Sequence, residues 1–142
     1  SAHLVLIGSG ELGSSLKQKF GSHSKIHFVG FQNQQSMPIW YRVGNVLCLP
    51  SKGPGETWGL AVNEAMACGC SAIVSDRVGC GEDLIEPGYG RIIEASSASE
   101  IIIAMQSAVV HSVDREKVKQ HIGRWSIAAI AKAIHSEMNA VR

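Results

Sequence analysis

The chain has 142 residues, of which 45% are hydrophobic and 18% charged. This length and composition are typical of one globular domain with an apolar core, and they exclude a disordered or collagen-like chain. Thirteen basic and twelve acidic residues leave a formal charge of +1, and only 6% of residues are aromatic. We therefore expect a single domain over residues 1–142 that binds a small molecule or a protein and no nucleic acid.

Short apolar runs alternate with helical patterns along the first two thirds of the chain. The runs are closed by Gly, Pro or Ser and predict strands at 4–7, 26–29, 46–49 and 72–74, with a fifth at 89–93. Helices are predicted between them at 11–20, 37–43 and 60–68. Continuous apolar runs are typical of strands buried on both faces of a parallel sheet. The sequence thus predicts an α/β fold, a Rossmann-like parallel sheet flanked by helices.

The last third of the chain is predicted to be helical. Apolar residues recur there at helical spacing, at Ile101, Ile102, Met105, Ala108 and Val109, and again at Ile127, Ile130, Ala131 and Ile134. Ser97 and Asp114 precede helical segments and are predicted N-caps.

The four cysteines lack a paired CxxC spacing: Cys48, Cys68, Cys70 and Cys80. We expect buried, reduced thiols and no metal site.

The chain contains no apolar run long enough to span a bilayer and no N-terminal export signal. We expect a cytoplasmic protein, with the inner face of a membrane as an alternative location for the full-length protein. Because the chain begins almost directly at a strand, we also expect it to be an excised part of a longer protein.

A GxGxxG motif follows the first predicted strand, with Gly8, Gly10 and Gly13 as its glycines. In this context the motif indicates a dinucleotide-binding turn. That interpretation also needs an acidic residue about 20 positions later to hold the ribose. No Asp or Glu lies between Glu11 and Glu56. An NAD- or NADP-binding oxidoreductase domain is therefore the weaker alternative, and a tight strand-to-helix turn is the preferred explanation of the glycines.

Two acidic residues flank the start of the helix after the third predicted strand. Glu56 lies in the loop and Glu64 about one turn inside the helix, on the face of Leu60. With Thr57 as the predicted cap, the amides of residues 58–61 are free to donate to a phosphate or a sugar hydroxyl. Carboxylates accept hydrogen bonds from paired hydroxyls, so the pair suits a sugar and a ribose. A capped surface helix with both acids solvated is the alternative.

Several motifs occur together along the chain. They are the Pro50-Ser51 pair, the run Glu56-Thr57-Trp58-Gly59-Leu60, the Glu56-x7-Glu64 spacing, the tail Glu64-Ala65-Met66-Ala67-Cys68-Gly69, the following Ala72-Ile73-Val74-Ser75, the turn Gly79 to Ile85, and Trp125-Ser126. On these motifs, and over nearly its whole length, the chain resembles the C-terminal, donor-binding half of retaining GT-B glycosyltransferases of family 4, also called group 1.

The resemblance implies roles for individual residues. Glu56, the catalytic-site residue, is expected to contact hydroxyls of the transferred hexose, and Glu64 to hold the ribose. Gly59 and Leu60 are expected to offer backbone amides to the sugar and the diphosphate. Trp58 is expected either to wall the sugar pocket or to pack in the core.

The resemblance also implies a second stretch of donor-binding residues. Gly30, Phe31 and Gln32 are expected along the nucleobase, with Gly8 and Gly10 as the neighbouring turn.

The implied function is retaining hexosyl transfer from a nucleotide sugar, with UDP, GDP and ADP all open as the nucleotide. The nucleotide sugar is a co-substrate, and no cofactor is expected. An acceptor-binding N-terminal domain and a basic pair for the diphosphate are expected outside this chain, so the chain alone is expected to be inactive. A non-catalytic interaction module that keeps the fold is a further alternative.

Overall fold

The computed structural model describes residues 2–53 and 55–140. The chain divides into two compact units, Ser1–Trp40 and Tyr41–Arg142. In chain order the elements are β1 (Leu4–Ile7), α1 (Gly13–Phe20), β2 (Ile26–Val29), α2 (Met37–Val43), β3 (Val46–Leu49), α3 (Leu60–Ala67), β4 (Ser71–Ser75), α4 (Gly81–Leu84), β5 (Gly90–Ile93), α5 (Ala98–Val110), α6 (Arg115–Ile122) and α7 (Ile127–Ala140). A short 3-10 helix, Gly123–Trp125, connects α6 to α7.

The α/β class with parallel strands and flanking helices is confirmed, and most predicted boundaries hold to within two residues. β4 is longer than predicted because it includes Ser71 and Ser75, two buried polar residues that a pattern of apolar residues omits. The strands are hydrogen-bonded as two parallel sheets, β1-β2 and β3-β4-β5, whereas the sequence predicted one. Apolar runs identify strands but carry no information about which strands pair.

In the Ser1–Trp40 unit, β1 and β2 pair in parallel with Leu4 opposite Ile26 and Ile7 opposite Val29. The four side chains of β1 are between 36% and 40% exposed, and none of residues 2–40 is buried. The prediction that β1 is buried on both faces is therefore wrong. An apolar run records how favourable burial of a strand is, but the elements that cover it are set by tertiary structure.

In the Tyr41–Arg142 unit, β4 is the central strand and all five of its residues are buried. Successive side chains of a strand point to opposite faces. Ala72 and Val74 pack with residues of α3 and α6, and Ile73 packs with Ala104 of α5. Burial on both faces is thus confirmed for β4, and each large apolar side chain buried in this way contributes about 1.5–3 kcal/mol.

Helices α5 and α6 begin at the caps that the sequence predicts. The Ser97 hydroxyl accepts a hydrogen bond from the Glu100 amide at the start of α5, and the Asp114 carboxylate accepts one from the Glu116 amide at the start of α6. Both predicted caps are confirmed. In the part of the chain that the structure describes, no helix is both long and apolar enough to cross a bilayer.

Arg115 connects the C-terminal ends of α2 and α3. Its Nη1 donates to the Gly44 carbonyl at 2.9 Å, and its Nη2 donates to the carbonyls of Arg42 at 3.1 Å and Cys68 at 2.9 Å. The last carbonyls of a helix lack partners within the helix and carry partial negative charge, which a guanidinium both satisfies and balances. Arg115 therefore connects the C-terminal ends of α2 and α3 through hydrogen bonds to both.

We expect Arg115→Met to lower the free energy of unfolding by about 2 kcal/mol, since hydrogen bonds to a charged group contribute roughly 1.5–3 kcal/mol. Methionine keeps the apolar stem but removes every donor. Urea unfolding followed by circular dichroism measures the effect, with Lys117→Met on the exposed side of α6 as the matched control. Equal urea midpoints for the two variants would contradict the role given to Arg115.

Candidate functional site

The register of the central sheet brings two loops together at one edge. β3 and β4 run parallel with Leu49 opposite Val74, so the loops that follow them start side by side. The carboxyl edge of a parallel sheet is where α/β proteins bind ligands. The Ser75 hydroxyl at the end of β4 donates to the Ser51 carbonyl at 2.6 Å, which anchors the first part of the loop 50–59.

Cys80 anchors the other end of the same loop. Its amide donates to the Trp58 carbonyl at 2.8 Å, and its thiol contacts the Gly59 carbonyl at 3.8 Å. Burial raises the pKa of the Cys80 thiol to about 11, and the negative charges of Glu56 and Asp83 add to this effect. The thiol therefore stays protonated at neutral pH, and the half-buried Glu56 lies within electrostatic range of it.

Gly59 is the residue on which the geometry of the helix start depends. Its φ of +100° lies in the left-handed region, and a Cβ at this position would lie 2.6 Å from Val78 Cγ1 and 3.3 Å from Cys80 Sγ. Both the backbone conformation and the surrounding space therefore require glycine. Gly59 is the N-cap of α3, and no side chain caps the helix. The prediction that Thr57 is the cap is wrong, because α3 begins at Leu60 and Thr57 lies two residues before the capping position.

The amides at the start of α3 are not used in the hydrogen bonds of the loop. Val62 donates back to the Gly59 carbonyl at 2.8 Å, whereas the amides of Gly59, Leu60 and Ala61 have no acceptor among the residues that the structure describes. Free amides at the positive end of a helix form a site for a negatively charged or hydroxyl-rich ligand. The loop conformation is thus compatible with the expected role of Gly59 and Leu60.

Glu64 lies on the exposed side of α3, while its neighbours Ala65 and Met66 are buried. Its Oε2 accepts a hydrogen bond from the Tyr41 hydroxyl at 3.2 Å. Burial raises the pKa of Tyr41, and the adjacent Glu64 carboxylate raises it further, so the phenol remains a donor. Glu64 also borders a surface hollow of about 350 Å³ that is bounded by α3, α6 and the start of α7.

Trp58 is held by the residue that precedes Glu64. Its Nε1 donates to the Asn63 Oδ1 at 2.8 Å, and its half-buried ring packs against the core cluster that includes Val62, Val78 and Cys80. The structure therefore shows the packing that was one of the two expectations for Trp58. The polar side chain of Asn63 thus has a structural role on α3, as the acceptor for Trp58.

The remaining candidate residues belong to the Ser1–Trp40 unit. Ile7 lies opposite Val29 in the β1-β2 pair, so the segments that begin at Gly8 and Gly30 both start at the carboxyl edge of that sheet. Gly8 has a φ of +125°, and its amide donates to the Val29 carbonyl at 3.1 Å. Gly10 accepts a hydrogen bond from the amide at the start of α1, which makes the GxGxxG segment a tight turn.

Phe31 and Gln32 differ in how they are held. The Phe31 side chain is 76% exposed. The Gln32 amide group donates to the Phe31 carbonyl at 3.1 Å and accepts from Trp40 Nε1 at 3.1 Å. The loop thus presents an exposed aromatic ring beside a fixed amide.

Thus five candidate residues lie in one loop and helix start of the Tyr41–Arg142 unit: Glu56, Trp58, Gly59, Leu60 and Glu64. The other five lie at the sheet edge of the Ser1–Trp40 unit: Gly8, Gly10, Gly30, Phe31 and Gln32.

Sequence reasoning missed the residues that hold the site in place. Tyr41, Ser75 and Cys80 contact residues 21 to 24 positions away along the chain, and no motif spacing connects such pairs. His121 lies in no motif of the sequence, and the structure buries it with Nε2 at 2.8 Å from the Leu84 carbonyl and its ring stacked on Tyr89. It packs in the core.

Gly59→Ala is expected to lower the free energy of unfolding by about 2–4 kcal/mol, because a left-handed backbone conformation and an overpacked Cβ are both unfavourable for alanine. Gly55→Ala in the same loop is the matched control, since a Cβ there meets no atom within 4 Å. Thermal unfolding of both variants measures the difference. If Gly59→Ala and the wild type have the same melting temperature, the loop does not require this glycine.

The family of glycosyl transferases group 1 matches residues 1–111 of the chain. A phosphatidyl-myo-inositol mannosyltransferase from Mycobacterium leprae is 26% identical over 114 residues, which are 80% of this chain and 30% of that protein. The chain therefore spans less than a third of the length of this curated relative.

Solved structures show the same fold. The Anabaena protein HepE in complex with UDP superposes with a TM-score of 0.78 over 98% of this chain and 41% of its own, at 18% identity. The C-terminal domain of a group 1 glycosyl transferase from Francisella tularensis superposes with a TM-score of 0.56 over 79% of this chain and 54% of its own, at 27% identity. The fold is that of one half of a GT-B glycosyltransferase, and the chain belongs to the group 1 glycosyltransferase family.

Proposed function

We propose that this chain is the nucleotide-sugar-binding half of a glycosyltransferase that moves a hexose from a nucleoside diphosphate to an acceptor with retention at the anomeric carbon. The observation that carries the proposal is the start of α3, where free amides lie between two carboxylates at the carboxyl edge of a parallel sheet. HepE is similar in fold and was solved in complex with UDP, which supports UDP as the first nucleotide to test.

Each part of the helix start suits a different part of such a ligand. The amides of Gly59 and Leu60 donate to the diphosphate and the sugar, where the positive end of the helix favours negative charge. Glu56 accepts hydrogen bonds from hexose hydroxyls, and Glu64 accepts them from the ribose. A carboxylate repels phosphate, so the two acids belong beside the hydroxyl-bearing parts of the ligand.

In the Ser1–Trp40 unit, we assign the nucleobase to the segment that contains Gly30, Phe31 and Gln32. The exposed Phe31 ring supplies an aromatic surface, and the fixed side-chain amide of Gln32 supplies polar contacts. Gly8 and Gly10 form the neighbouring turn.

The same amides serve the chemical step. As the bond between the hexose and the diphosphate breaks, negative charge develops on the leaving phosphate, and preorganised donors at a helix start stabilise that charge. Retaining transfer also needs an acceptor site and exclusion of water. We assign both to parts of a longer protein, because the chain spans only about 40% of the HepE chain.

A dinucleotide-binding oxidoreductase domain is the competing interpretation of Gly8, Gly10 and Gly13. The family match and the lack of an acid between Glu11 and Glu56 both argue against it. A non-catalytic module with the same fold is the other alternative, and it predicts no nucleotide binding.

UDP, GDP, ADP and NAD added separately to the ¹⁵N-labelled chain will separate these functions. We expect one nucleoside diphosphate to shift the amide signals of Gly59, Leu60 and Glu64, which we assign to the diphosphate and the ribose, and that of Phe31, which we assign to the nucleobase. Shifts confined to Gly8–Gly13 with NAD would favour the oxidoreductase. No shift with any ligand would leave two explanations, a non-catalytic module or the basic pair expected outside this chain, and the same titration of the full-length protein separates them.

The two carboxylates are expected to respond to different ligands. Glu64→Ala is expected to weaken binding of both UDP and UDP-glucose by about 10- to 100-fold, the range for losing hydrogen bonds to a charged group. Glu56→Gln is expected to leave UDP affinity unchanged and to weaken UDP-glucose alone, since Glu56 contacts only the sugar. Glu137→Gln on the exposed α7 is the control for a loss of charge. Isothermal titration measures all three, and equal effects of both variants on UDP would disprove the division of roles.

A further inference from the structure

We infer that Tyr41 is a positioning residue for Glu64, and that its hydroxyl holds one carboxylate oxygen so that the other faces the ribose hydroxyls. The inference rests on the proposed role of Glu64 and extends it to a residue outside the loop and helix that carry the site. The contact is the hydrogen bond from the Tyr41 hydroxyl to Glu64 Oε2 at 3.2 Å.

Tyr41 is itself fixed by contacts that do not involve Glu64. Tyr41 lies in the last turn of α2 and is only 7% exposed. Its backbone carbonyl accepts a hydrogen bond from the Cys70 thiol at 2.8 Å and a longer one from Arg115 at 3.5 Å. The phenol is thus held by packing and by the hydrogen bonds of its main chain. Its hydroxyl is a fixed donor for an exposed side chain on the next helix.

Glu64 needs such a fixed point because it lies on the exposed face of α3. An exposed glutamate samples several rotamers, and ordering them when a ligand arrives reduces affinity. A carboxylate has about four lone-pair positions, and the Tyr41 hydroxyl occupies one of them. Enough acceptor capacity remains for both hydroxyls of a ribose, and the orientation of the carboxylate is set in advance.

The charge states agree with this arrangement. Burial raises the pKa of Tyr41, and so do the charge of Glu64 and the nearby Cys68 and Cys70. The phenol therefore keeps its proton across the pH range of ordinary binding measurements. It acts as a hydrogen-bond donor throughout, so the contact with the carboxylate is not lost by titration of the tyrosine.

A purely structural role is the alternative, in which the hydrogen bond only connects α2 to α3. The two roles differ in one measurable way. If Tyr41 positions Glu64 for the ribose, its effect on affinity depends on the ribose hydroxyls, whereas a structural role lowers affinity for every ligand alike.

The test compares UDP with 2′,3′-dideoxy-UDP in a cycle with Tyr41→Phe, measured by isothermal titration or chemical-shift titration. Phenylalanine keeps the ring and all main-chain contacts, so the fold is preserved. We expect Tyr41→Phe to weaken UDP about 3- to 10-fold, as for loss of one hydrogen bond, and to change dideoxy-UDP less than twofold. If GDP or ADP binds more tightly than UDP, its own dideoxy analogue replaces dideoxy-UDP.

Tyr89→Phe is the matched control, because Tyr89 is the other of the two tyrosines and its hydroxyl has no hydrogen-bond partner among the described residues. It is expected to bind both ligands as the wild type does. Equal weakening of both ligands by Tyr41→Phe, or no weakening of either, would overturn the inference.

Glu64→Ala separates failure of this inference from failure of the proposed function. If Glu64→Ala weakens UDP but not dideoxy-UDP while Tyr41→Phe changes neither, the role of Glu64 stands and the role of Tyr41 falls. If Glu64→Ala weakens both ligands equally, or neither this chain nor the full-length protein binds a nucleoside diphosphate, the proposed ribose contact fails and the inference fails with it.

Discussion

Burial of β4 on both faces is the constraint from which the site in the Tyr41–Arg142 unit is built. Ala72 and Val74 pack toward α3 and α6, while Ile73 packs toward α5. A shift of one residue would exchange these side chains between the two covered faces and disrupt the packing on both. The register with β3 is fixed as a result. That register in turn places the end of β3 beside the end of β4, which is where the loop with the candidate residues begins.

The loop that carries the candidate residues is anchored to this apolar framework. The loop 50–59 is anchored at one end by Ser75 and at the other by Cys80. Ser75 is the last residue of the buried strand β4, and Cys80 lies in the turn that follows it. Gly59 completes the arrangement, because only a residue without a Cβ fits against Val78 and Cys80 in a left-handed conformation. Rigid anchoring of this kind leaves the amides of the helix start free for a ligand, which is the preorganisation that binding of a diphosphate requires.

Much of the fold was predictable from the sequence because its signals are local. Strand positions, the α/β class, and the caps at Ser97 and Asp114 depend on runs of a few residues, and the structure confirms them. Burial was less predictable: β4 is covered on both faces as expected, whereas β1 is not. The cap at Thr57 was also wrong, because a two-residue shift in where a helix starts changes the capping residue. The burial of a strand and the exact start of a helix both depend on residues that are close in space but distant in the sequence.

The sequence by itself determined the family and the residues that carry its motif, because motif spacing and apolar periodicity are properties of neighbouring positions. It could not reveal that Tyr41 holds Glu64 or that Arg115 joins the ends of α2 and α3, since these contacts link residues 23 or more positions apart. Such contacts exist only after the strands have paired and the helices have packed. Tertiary structure therefore decided how the motif residues are oriented, because side-chain orientation depends on hydrogen-bond partners supplied by distant parts of the chain.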